Sequence, residues 1–360
     1  MEYLIITEDA GFKHPVYGEG LLKKGKTYYT YSQFARETAE RGLGRIVKEK
    51  KPCVIPFNQS HLGAGERFNK ILLILAGGLG DAVTCGIVLP EVIKRYNIKI
   101  DICCDGVKWD NIFKPMGMPG IHIPYPPDID TLAAYDAVLS DITRFYFSNK
   151  GLKSSPVIEL LKGFGLETKD IRPGFQIPDE TKKSLRLPPA DAVRVGVNFD
   201  SNGLVKSYPE ALHDSLLKGL KNLGFELFLF GAKKGADNSD SPGIHDFRSK
   251  TTILEMTALV EQMDCILGVD SFIVHLAGLL GVPSLVLLST TTDSYFDWHK
   301  NISCISSKLG CAPCFAVFNQ CPRGYPECHA FYHESIRPEI ILRFVVKKVA
   351  ALYSDIQTSC

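Results

Sequence analysis

The sequence lacks an excess of charge of either sign, and it lacks a long apolar run. Its 41 basic residues balance its 40 acidic ones to a formal net charge of +1, so no global field draws it to nucleic acid or to an anionic membrane. No stretch approaches the roughly 20 apolar residues that span a bilayer. The first residues carry acids where a secretory signal needs basic and then apolar residues. We therefore expect a cytoplasmic protein with no nucleic-acid partner and no transmembrane segment.

Internal repeats and low-complexity segments are also missing from the sequence. The 360 residues are 45% hydrophobic and 22% charged, which is the composition of a folded protein. This length predicts about two domains of 100–200 residues. The chain has 11 cysteines, and in a reducing compartment their expected uses are packing, metal binding or redox chemistry rather than a disulfide framework.

Two successive arrays of apolar strands and helices follow a different N-terminal segment. That segment has Tyr- and Thr-rich stretches and a charged piece, expected to be helical, through Arg45, Lys48 and Lys51. A Pro- and Lys-rich linker at 172–191 separates the two arrays. Apolar strands that alternate with helices are typical of parallel sheets covered on both faces. We predict an α/β chain with two Rossmann-like domains facing a cleft. The predicted parts are an accessory module (1–66), an N-terminal Rossmann-like acceptor domain (67–180), a C-terminal Rossmann-like nucleotide-sugar domain (181–335) and a C-terminal helix (336–360).

A glycine-rich turn, L-A-G-G-L-G-D, follows the first apolar strand and includes Gly78, Leu79 and Gly80. Glycines after a strand let backbone N–H groups approach an anion, and the following helix N-terminus adds a favourable dipole. Asp81 would repel a phosphate, so it is either a base that faces an acceptor hydroxyl or a first-turn acid that complements the helix dipole. The turn lacks the G-x-G-x-x-G spacing of a dinucleotide fingerprint.

Two further polar segments follow strands of the second array. In N-F-D-S-N-G-L-V-K-S-Y-P, which begins at Asn198, Lys206 is either a cation for a diphosphate or a solvated loop lysine. In G-V-D-S-F-I-V-H, Asp270 and Ser271 stand at a helix start, and His275 lies one turn later on the same face. These residues either cap and pack the helix or bind a ligand, and the two roles are compatible.

Four of the cysteines form the pattern C-x2-C-x6-C-x6-C within residues 311–328. Four thiolates in so short a loop can converge on one tetrahedral ion, and zinc and iron both accept thiolate ligands. With four sulfur ligands the site would be closed, and therefore structural rather than catalytic. The alternative is four free or disulfide-bonded cysteines. The predicted metal ligands are Cys311, Cys314, Cys321 and Cys328.

With three motifs in order at three strand ends, the chain resembles the ADP-heptose-dependent heptosyltransferases. This family of GT-B glycosyltransferases includes lipopolysaccharide-core and autotransporter-protein heptosyltransferases. The resemblance covers roughly residues 70–349 and rests on ILLILAGGLGDAVTCGIVLPEVIKRY, VKSYP and CILGVDSFIVHLAGLLGVPSLVLL. Three positions depart from the family pattern: Tyr208 replaces a Trp, Phe272 replaces a Gly, and S-T-T-T-D-S replaces a G-P-T-D-P-like loop.

The resemblance implies an inverting transferase that needs no catalytic metal. Asp81 falls on the family's presumed base, and Lys206 falls on its phosphate-contacting lysine. The cysteine set has counterparts in the family, where one branch has an iron-binding finger, so the resemblance favours iron over zinc. The implied partners are an ADP-sugar donor and a glycan or protein acceptor, and the chain is expected to be able to form a homo-oligomer. The implied nucleotide-sugar contacts are Gly78, Leu79, Gly80, Asn198, Lys206, Gly231, Asp270, Ser271 and His275.

Two functions from other classes remain open at this point. One is a Rossmann oxidoreductase that uses NAD(P), for which the glycine-rich turn would be the cofactor site. The other is a non-enzymatic scaffold that makes protein contacts through a metal finger and the N-terminal segment. Binding of ADP rather than NAD, and dependence of activity on Asp81, distinguish the transferase from both.

Overall fold

The computed structural model describes most of the chain, in two compact units. Unit 1 comprises Met1–Gly151 and Pro156–Gly174, and unit 2 comprises Leu152–Ser155 and Phe175–Cys360. Unit 2 thus takes up the chain inside the linker segment, at Phe175. The described residues are 2–14, 18–47, 54–56, 68–75, 77–140, 154–167, 171, 173–189, 191–232, 242–316 and 320–358.

The N-terminal part of unit 1 is antiparallel. A three-stranded sheet has the order β4-β1-β5, and β2 pairs with β3 as a hairpin. The expected helix through Arg45 is wrong, because Arg45 pairs with Ile5 in a strand, while Lys48 and Lys51 lie outside the described residues. Cross-strand pairing has overridden the local charge pattern there. The elements are β1 (Glu2–Ile6), β2 (Ala10–His14), β3 (Gly18–Leu22), β4 (Thr27–Thr30), α1 (Ser32–Glu40) and β5 (Gly44–Val47).

A five-stranded parallel sheet forms the rest of unit 1, in the order β6-β10-β7-β8-β9. Leu4 and Phe34 of the antiparallel part share one apolar cluster with Leu72 and Ile74, so the three-stranded and five-stranded sheets of this unit pack on a common core. The elements are β6 (Val54–Pro56), β7 (Lys70–Ile74), α2 (Leu79–Tyr96), β8 (Lys99–Cys104), α3 (Gly106–Lys108), β9 (His122–Pro124), α4 (Ile129–Ala133), β10 (Ala137–Ser140) and α5 (Pro156–Gly163).

Unit 2 is built on a six-stranded parallel sheet with the order β13-β12-β11-β14-β15-β16. Its central strands are buried along nearly their whole length, as the continuous apolar runs require. The elements are α6 (Asp179–Ser184), β11 (Arg194–Asn198), α7 (His213–Asn222), β12 (Glu226–Phe230), β13 (Ile244–Asp246), α8 (Ile253–Val260), β14 (Cys265–Val269), α9 (Phe272–Leu280), β15 (Ser284–Leu288), β16 (Ile302–Ser306) and α10 (Pro338–Thr358).

The predicted α/β fold with parallel sheets is confirmed, but the sequence did not indicate the outermost strands of unit 2. β13 has three residues with one buried side chain, and β16 is mostly half-exposed, so neither carries a continuous apolar run. Within the described residues, no helix is long and apolar enough to cross a membrane. The boundaries expected for the four parts of the chain stay predictions.

Candidate active site

The polar residues singled out in the second array collect at one edge of the unit 2 sheet. Asn198 ends β11, Gly231 follows β12, and Asp270 follows β14, and these three strands are neighbours in the sheet. The carboxyl ends of parallel strands meet at the same edge, which is where ligands bind in open α/β sheets. The sheet order therefore brings together residues that lie up to 72 positions apart in the chain, from Asn198 to Asp270.

An ion pair between Lys206 and Asp270 lies at this edge. Lys206 ends a single turn of 3-10 helix (Leu204–Lys206), and its Nζ lies 2.8 Å from Asp270 Oδ2. The same carboxylate oxygen accepts a hydrogen bond of 3.0 Å from Thr291 Oγ1. Burial alone would raise the pKa of Asp270, but Lys206 and the Thr291 hydroxyl together lower it below its usual range. Asp270 is therefore a buried anion with a cation held beside it.

Hydrogen bonds link the loop after β11 to the start of α9. Ser271 Oγ donates to Asn198 Oδ1 at 2.7 Å, and Asn198 Nδ2 donates to the carbonyl of Phe230 at 3.1 Å. Ser201 Oγ donates to the Asp270 carbonyl at 3.1 Å. Buried polar groups that are fully hydrogen-bonded hold a single geometry, so this network fixes the ends of β11, β12 and β14 relative to one another.

Gly231 is required by close approach at the end of β12. A Cβ atom at this position would lie 2.6 Å from Asp200 Oδ2, so a larger residue would push that carboxylate away. The chain therefore passes tightly beside Asp200, which belongs to the same loop that carries Lys206. Gly231 thus lies beside the hydrogen-bonded network, and as a glycine it has no side chain that takes part in it.

His275 is a buried, neutral side chain on α9. Burial lowers its pKa to about 4, against the opposing effect of Asp270, which raises it. Its ring stacks on Phe296 with centroids 5.0 Å apart. A neutral imidazole presents one hydrogen-bond donor and one acceptor, so His275 supplies polarity to this edge of the sheet without adding a second cation beside Lys206.

Asp81 lies in unit 1, at the start of α2. Its Oδ2 accepts a hydrogen bond of 2.7 Å from the backbone N–H of Gly78, and it is the third residue of the helix. Leu79 and Gly80 are the first two residues of α2. The Asp81 carboxylate thus stabilises the start of α2, which is the first-turn role that the sequence allowed for this residue. A carboxylate oxygen that accepts one N–H bond can still accept another hydrogen bond. The base role of Asp81 stays a prediction.

The four clustered cysteines line one cavity of about 830 Å³ in unit 2. Cys328 is buried, which raises the pKa of its thiol, whereas Cys314 is exposed. Across the described residues, which include all four thiols, no three His, Cys, Asp or Glu side chains are grouped to hold a metal ion. Sulfur ligands suit iron or zinc, and the thiols differ in burial, since Cys328 packs into the core while Cys314 is exposed. The role of Cys311, Cys314, Cys321 and Cys328 as metal ligands stays a prediction.

Two residues that depart from the family pattern, Tyr208 and Phe272, are placed by the structure as follows. Tyr208 is 2% exposed, and its ring stacks on Phe199 with centroids 5.5 Å apart, so it fills an aromatic position in the core. Phe272 is half-buried and is the first residue of α9.

The sequence did not indicate Thr291 and Ser289 as site residues, although their hydroxyl groups contact the site. Their signal is a run of four hydroxyl residues, 289–292, directly after a buried strand.

One protein family matches the region that carries this site. Residues 155–323 match the family model described as glycosyltransferase family 9 (heptosyltransferase). The match includes Asn198, Lys206, Asp270 and His275, and it does not extend to Asp81. No curated protein matches the sequence.

Solved structures of heptosyltransferases share the fold. The chain is similar to the E. coli ADP-heptose lipopolysaccharide heptosyltransferase II, with 15% identity, coverage of 79% of this chain and 99% of that one, and a TM-score of 0.53. It is also similar to TibC, an iron-containing dodecameric glycosyltransferase from enterotoxigenic E. coli, with 15% identity, coverage of 87% and 82%, and a TM-score of 0.59. For TibC in complex with ADP-D-β-D-heptose the identity is 14%, the coverage is 93% and 87%, and the TM-score is 0.59.

These identities show a shared fold, and the shared fold confirms the predicted GT-B class. The family match adds the chemistry that the fold alone does not give. The resemblance found in the sequence is therefore confirmed: residues 155–323 match the model of glycosyltransferase family 9 (heptosyltransferase), and the chain is a glycosyltransferase.

Proposed function

We propose that the chain transfers a heptose or related sugar from an ADP-sugar to a hydroxyl of a glycan or protein, with inversion and without a catalytic metal ion. The observation that carries the proposal is the Lys206–Asp270 pair at the carboxyl ends of β11 and β14, inside the segment that matches the family. Such a pair holds an ammonium group beside the start of a helix, which is where a diphosphate binds best.

The leaving group is a nucleoside diphosphate in this proposal. Negative charge builds on it as the bond to the anomeric carbon breaks, and Lys206 with the N-terminal end of α9 stabilises that charge. Asn198, Gly231, Ser271 and His275 line the same edge and are the proposed contacts to the nucleotide sugar. ADP is chosen because TibC has been solved with ADP-D-β-D-heptose.

Asp81 is the proposed general base. It takes the proton from the acceptor hydroxyl while that oxygen attacks the anomeric carbon from the side opposite the diphosphate. The new glycosidic bond forms as the bond to the diphosphate oxygen breaks, so ADP leaves and the configuration inverts. Gly78, Leu79 and Gly80 at the start of α2, together with Asp270, are further proposed contacts to the nucleotide sugar, and the Gly78 N–H also holds the Asp81 carboxylate.

Metal independence has support from the surroundings of Asp128 and Asp130, which form a D-x-D sequence of the kind that could hold a divalent metal ion on the diphosphate. Asp128 and Asp130 lie 3.3 and 2.6 Å from Lys26 Nζ, so both carboxylates pair with one lysine of this chain. Asp128 also caps α4 by accepting a hydrogen bond of 2.8 Å from Thr131 N. These two acids therefore serve unit 1 itself.

The proposal further assigns acceptor binding to residues 67–180 and donor binding to residues 181–335. It also includes assembly of the chain into a homo-oligomer.

A thermal-shift series tests the proposal first. The purified chain is mixed with ADP, UDP, GDP or NAD, each with and without EDTA. A ligand at 100 times its Kd adds about 2.7 kcal/mol of stability. We expect ADP to raise the Tm equally with and without EDTA, and NAD to have no effect. ADP-heptose is then incubated with a lipopolysaccharide core or with an acceptor protein, and ADP release is measured. Stabilisation by NAD alone would overturn the transferase proposal in favour of the oxidoreductase.

A further inference from the structure

Two hydroxyl groups of the loop after β15 donate hydrogen bonds at or next to the Lys206–Asp270 pair. Ser289 Oγ donates a hydrogen bond of 3.0 Å to the carbonyl of Val205, the residue before Lys206. Thr291 Oγ1 donates one of 3.0 Å to Asp270 Oδ2. Both hydroxyl residues are buried, with 3% and 5% of their surface exposed. The loop after β15 therefore contacts the Asp270 carboxylate directly and the backbone of the residue before Lys206.

The bond from Thr291 is directed at the oxygen that already holds the cation. Asp270 Oδ2 receives Lys206 Nζ at 2.8 Å and Thr291 Oγ1 at 3.0 Å. A lysine side chain has four flexible carbons, so the carboxylate that it meets decides where its charge lies. Threonine is stiff at χ1 because it is β-branched, so Thr291 offers a donor at a nearly fixed position. The orientation of the Asp270 carboxylate, and with it the ammonium position, thus depends on this hydroxyl.

The loop is more polar than a buried loop needs to be. Thr290, between the two residues, is 1% exposed, and its hydroxyl has no hydrogen-bond partner in the described part of the chain. A buried hydroxyl without a partner is destabilising, and an apolar residue of similar shape would avoid that cost. Local features that lower stability concentrate at functional sites. The polarity of residues 289–292 therefore indicates that the loop serves the site and not only the fold.

We propose that Thr291 is a positioning residue, which holds the Asp270 carboxylate so that Lys206 keeps its ammonium group at one place for the donor diphosphate. Ser289 supports the same arrangement by fixing the backbone before Lys206. The inference rests on the proposed function in one respect, namely that Lys206 meets the diphosphate. A charge held in place before the reaction needs no reorganisation as the leaving group becomes negative, so a positioning residue acts through kcat.

The test compares Thr291→Val, Thr291→Ser and Thr257→Val. Valine keeps the branched shape of threonine without the hydroxyl, and serine keeps the hydroxyl. Thr257 is the matched control, because it is a fully buried threonine of unit 2 whose Oγ1 donates at 2.6 Å to the carbonyl of Ile253, within α8. Any general cost of losing a buried hydroxyl appears in Thr257→Val as well.

The first measurement needs no substrate. Lysines of each variant are trace-labelled with acetic anhydride and mapped by mass spectrometry, with Lys182 as the internal reference. A loosened carboxylate leaves Lys206 less tightly paired, so its labelling rate should rise about three- to tenfold in Thr291→Val. Thr291→Ser and Thr257→Val should label Lys206 at the wild-type rate. An unchanged rate in Thr291→Val would overturn the positioning role.

The second measurement is transfer from ADP-heptose. We expect Thr291→Val to lower kcat about tenfold with little change in KM for the donor, and we expect Thr291→Ser to restore kcat. Failure of the serine variant to restore it, or an equal loss in Thr257→Val, contradicts positioning. If the wild-type chain transfers no heptose while the labelling of Lys206 responds as expected, the proposed function falls and the positioning of Lys206 stands.

Discussion

Lys206 Nζ and Asp270 Oδ2 lie 2.8 Å apart, with only 13% and 6% of the two side chains exposed. Burying two opposite charges costs hydration that their attraction only partly returns, so such a pair adds little stability over apolar residues of similar size. Breaking it is costly, because one charge then stays buried alone. The pair therefore makes sense as a device that keeps a cation at the end of β14 for a charged ligand.

A double-mutant cycle on this pair measures that coupling. Lys206→Met leaves the Asp270 carboxylate buried without its cation, so we expect the free energy of unfolding to fall by about 3–5 kcal/mol. Adding Asp270→Leu removes the stranded charge and should recover most of this loss. Urea unfolding of the wild type, both single variants and the double variant gives the interaction energy.

The matched control is the exposed pair Lys182–Glu261 in the same unit. Its atoms approach as closely, at 2.7 Å, but 42% and 39% of the side chains are exposed. Solvent screens this pair, so the same cycle on it should give less than about 1 kcal/mol. Equal interaction energies for the two pairs would show that burial does not set the coupling.

Asp81→Asn separates the two roles of this residue. The amide oxygen of asparagine can still accept the Gly78 N–H, so the free energy of unfolding should change by less than about 1 kcal/mol. An amide cannot take a proton from the acceptor, so kcat should fall by about 10²–10⁴-fold. ADP release and urea unfolding are measured on the same preparation.

Glu255→Gln is the control for the structural role of Asp81. Glu255 holds the equivalent place in α8, where its Oε2 accepts a hydrogen bond of 2.7 Å from Thr252 N. This variant should keep full activity. Full activity in Asp81→Asn would reduce Asp81 to a helix-capping residue and would require a different base.

The sequence indicated which residues follow strands, but not which strands are neighbours. Asn198 and Asp270 could be placed at strand ends from the apolar runs before them. Their contact through Ser271 depends on β11 lying beside β14, which long-range packing decides. Thr291 gave a weak signal for the same reason, since a loop threonine has many partners within reach until the sheet order is known.

The prediction for the cysteine cluster, by contrast, rested on local spacing alone. That spacing predicted four converging thiolates. In the structure Cys328 packs into the unit 2 core with Phe331, while Cys314 is exposed, so the position of each thiol follows the packing of its flanking residues. The spacing agrees with the structure in that the four cysteines line one cavity, while the burial of each thiol depends on the long-range packing around it.

Stability should fall as the pH is lowered from about 7 to about 5, because of two buried histidines. Burial lowers the pKa of His275 to about 4 and that of His299 to about 3. In the unfolded chain both titrate near 6.5, so below that pH the unfolded state takes up protons that the folded state does not. The loss is about 2 kcal/mol for each histidine at about pH 5.

Urea unfolding at the two pH values checks this expectation. His299→Gln should remove about half of the pH-dependent loss, whatever it does to the stability at neutral pH. His245→Gln is the control, because the side chain of His245 is 44% exposed and its Nε2 lies 2.8 Å from Glu226 Oε1. A pH-dependent loss that is the same in His299→Gln and the wild type would contradict a neutral, buried His299.

The arrangement of the four cysteines predicts unequal thiol reactivity. Cys314 is exposed, whereas Cys328 is buried and the pKa of its thiol is raised. Because the thiolate is the reactive form, iodoacetamide at about pH 7.5 should alkylate Cys314 at least about tenfold faster than Cys328. Peptide mapping by mass spectrometry gives both rates, and Cys314→Ser should leave the rate at Cys328 unchanged.

Four thiolates bound to one metal ion would instead be protected together until a chelator released them. Joint protection, with one equivalent of iron or zinc in the purified protein, would contradict unequal reactivity and would support the predicted tetrahedral site.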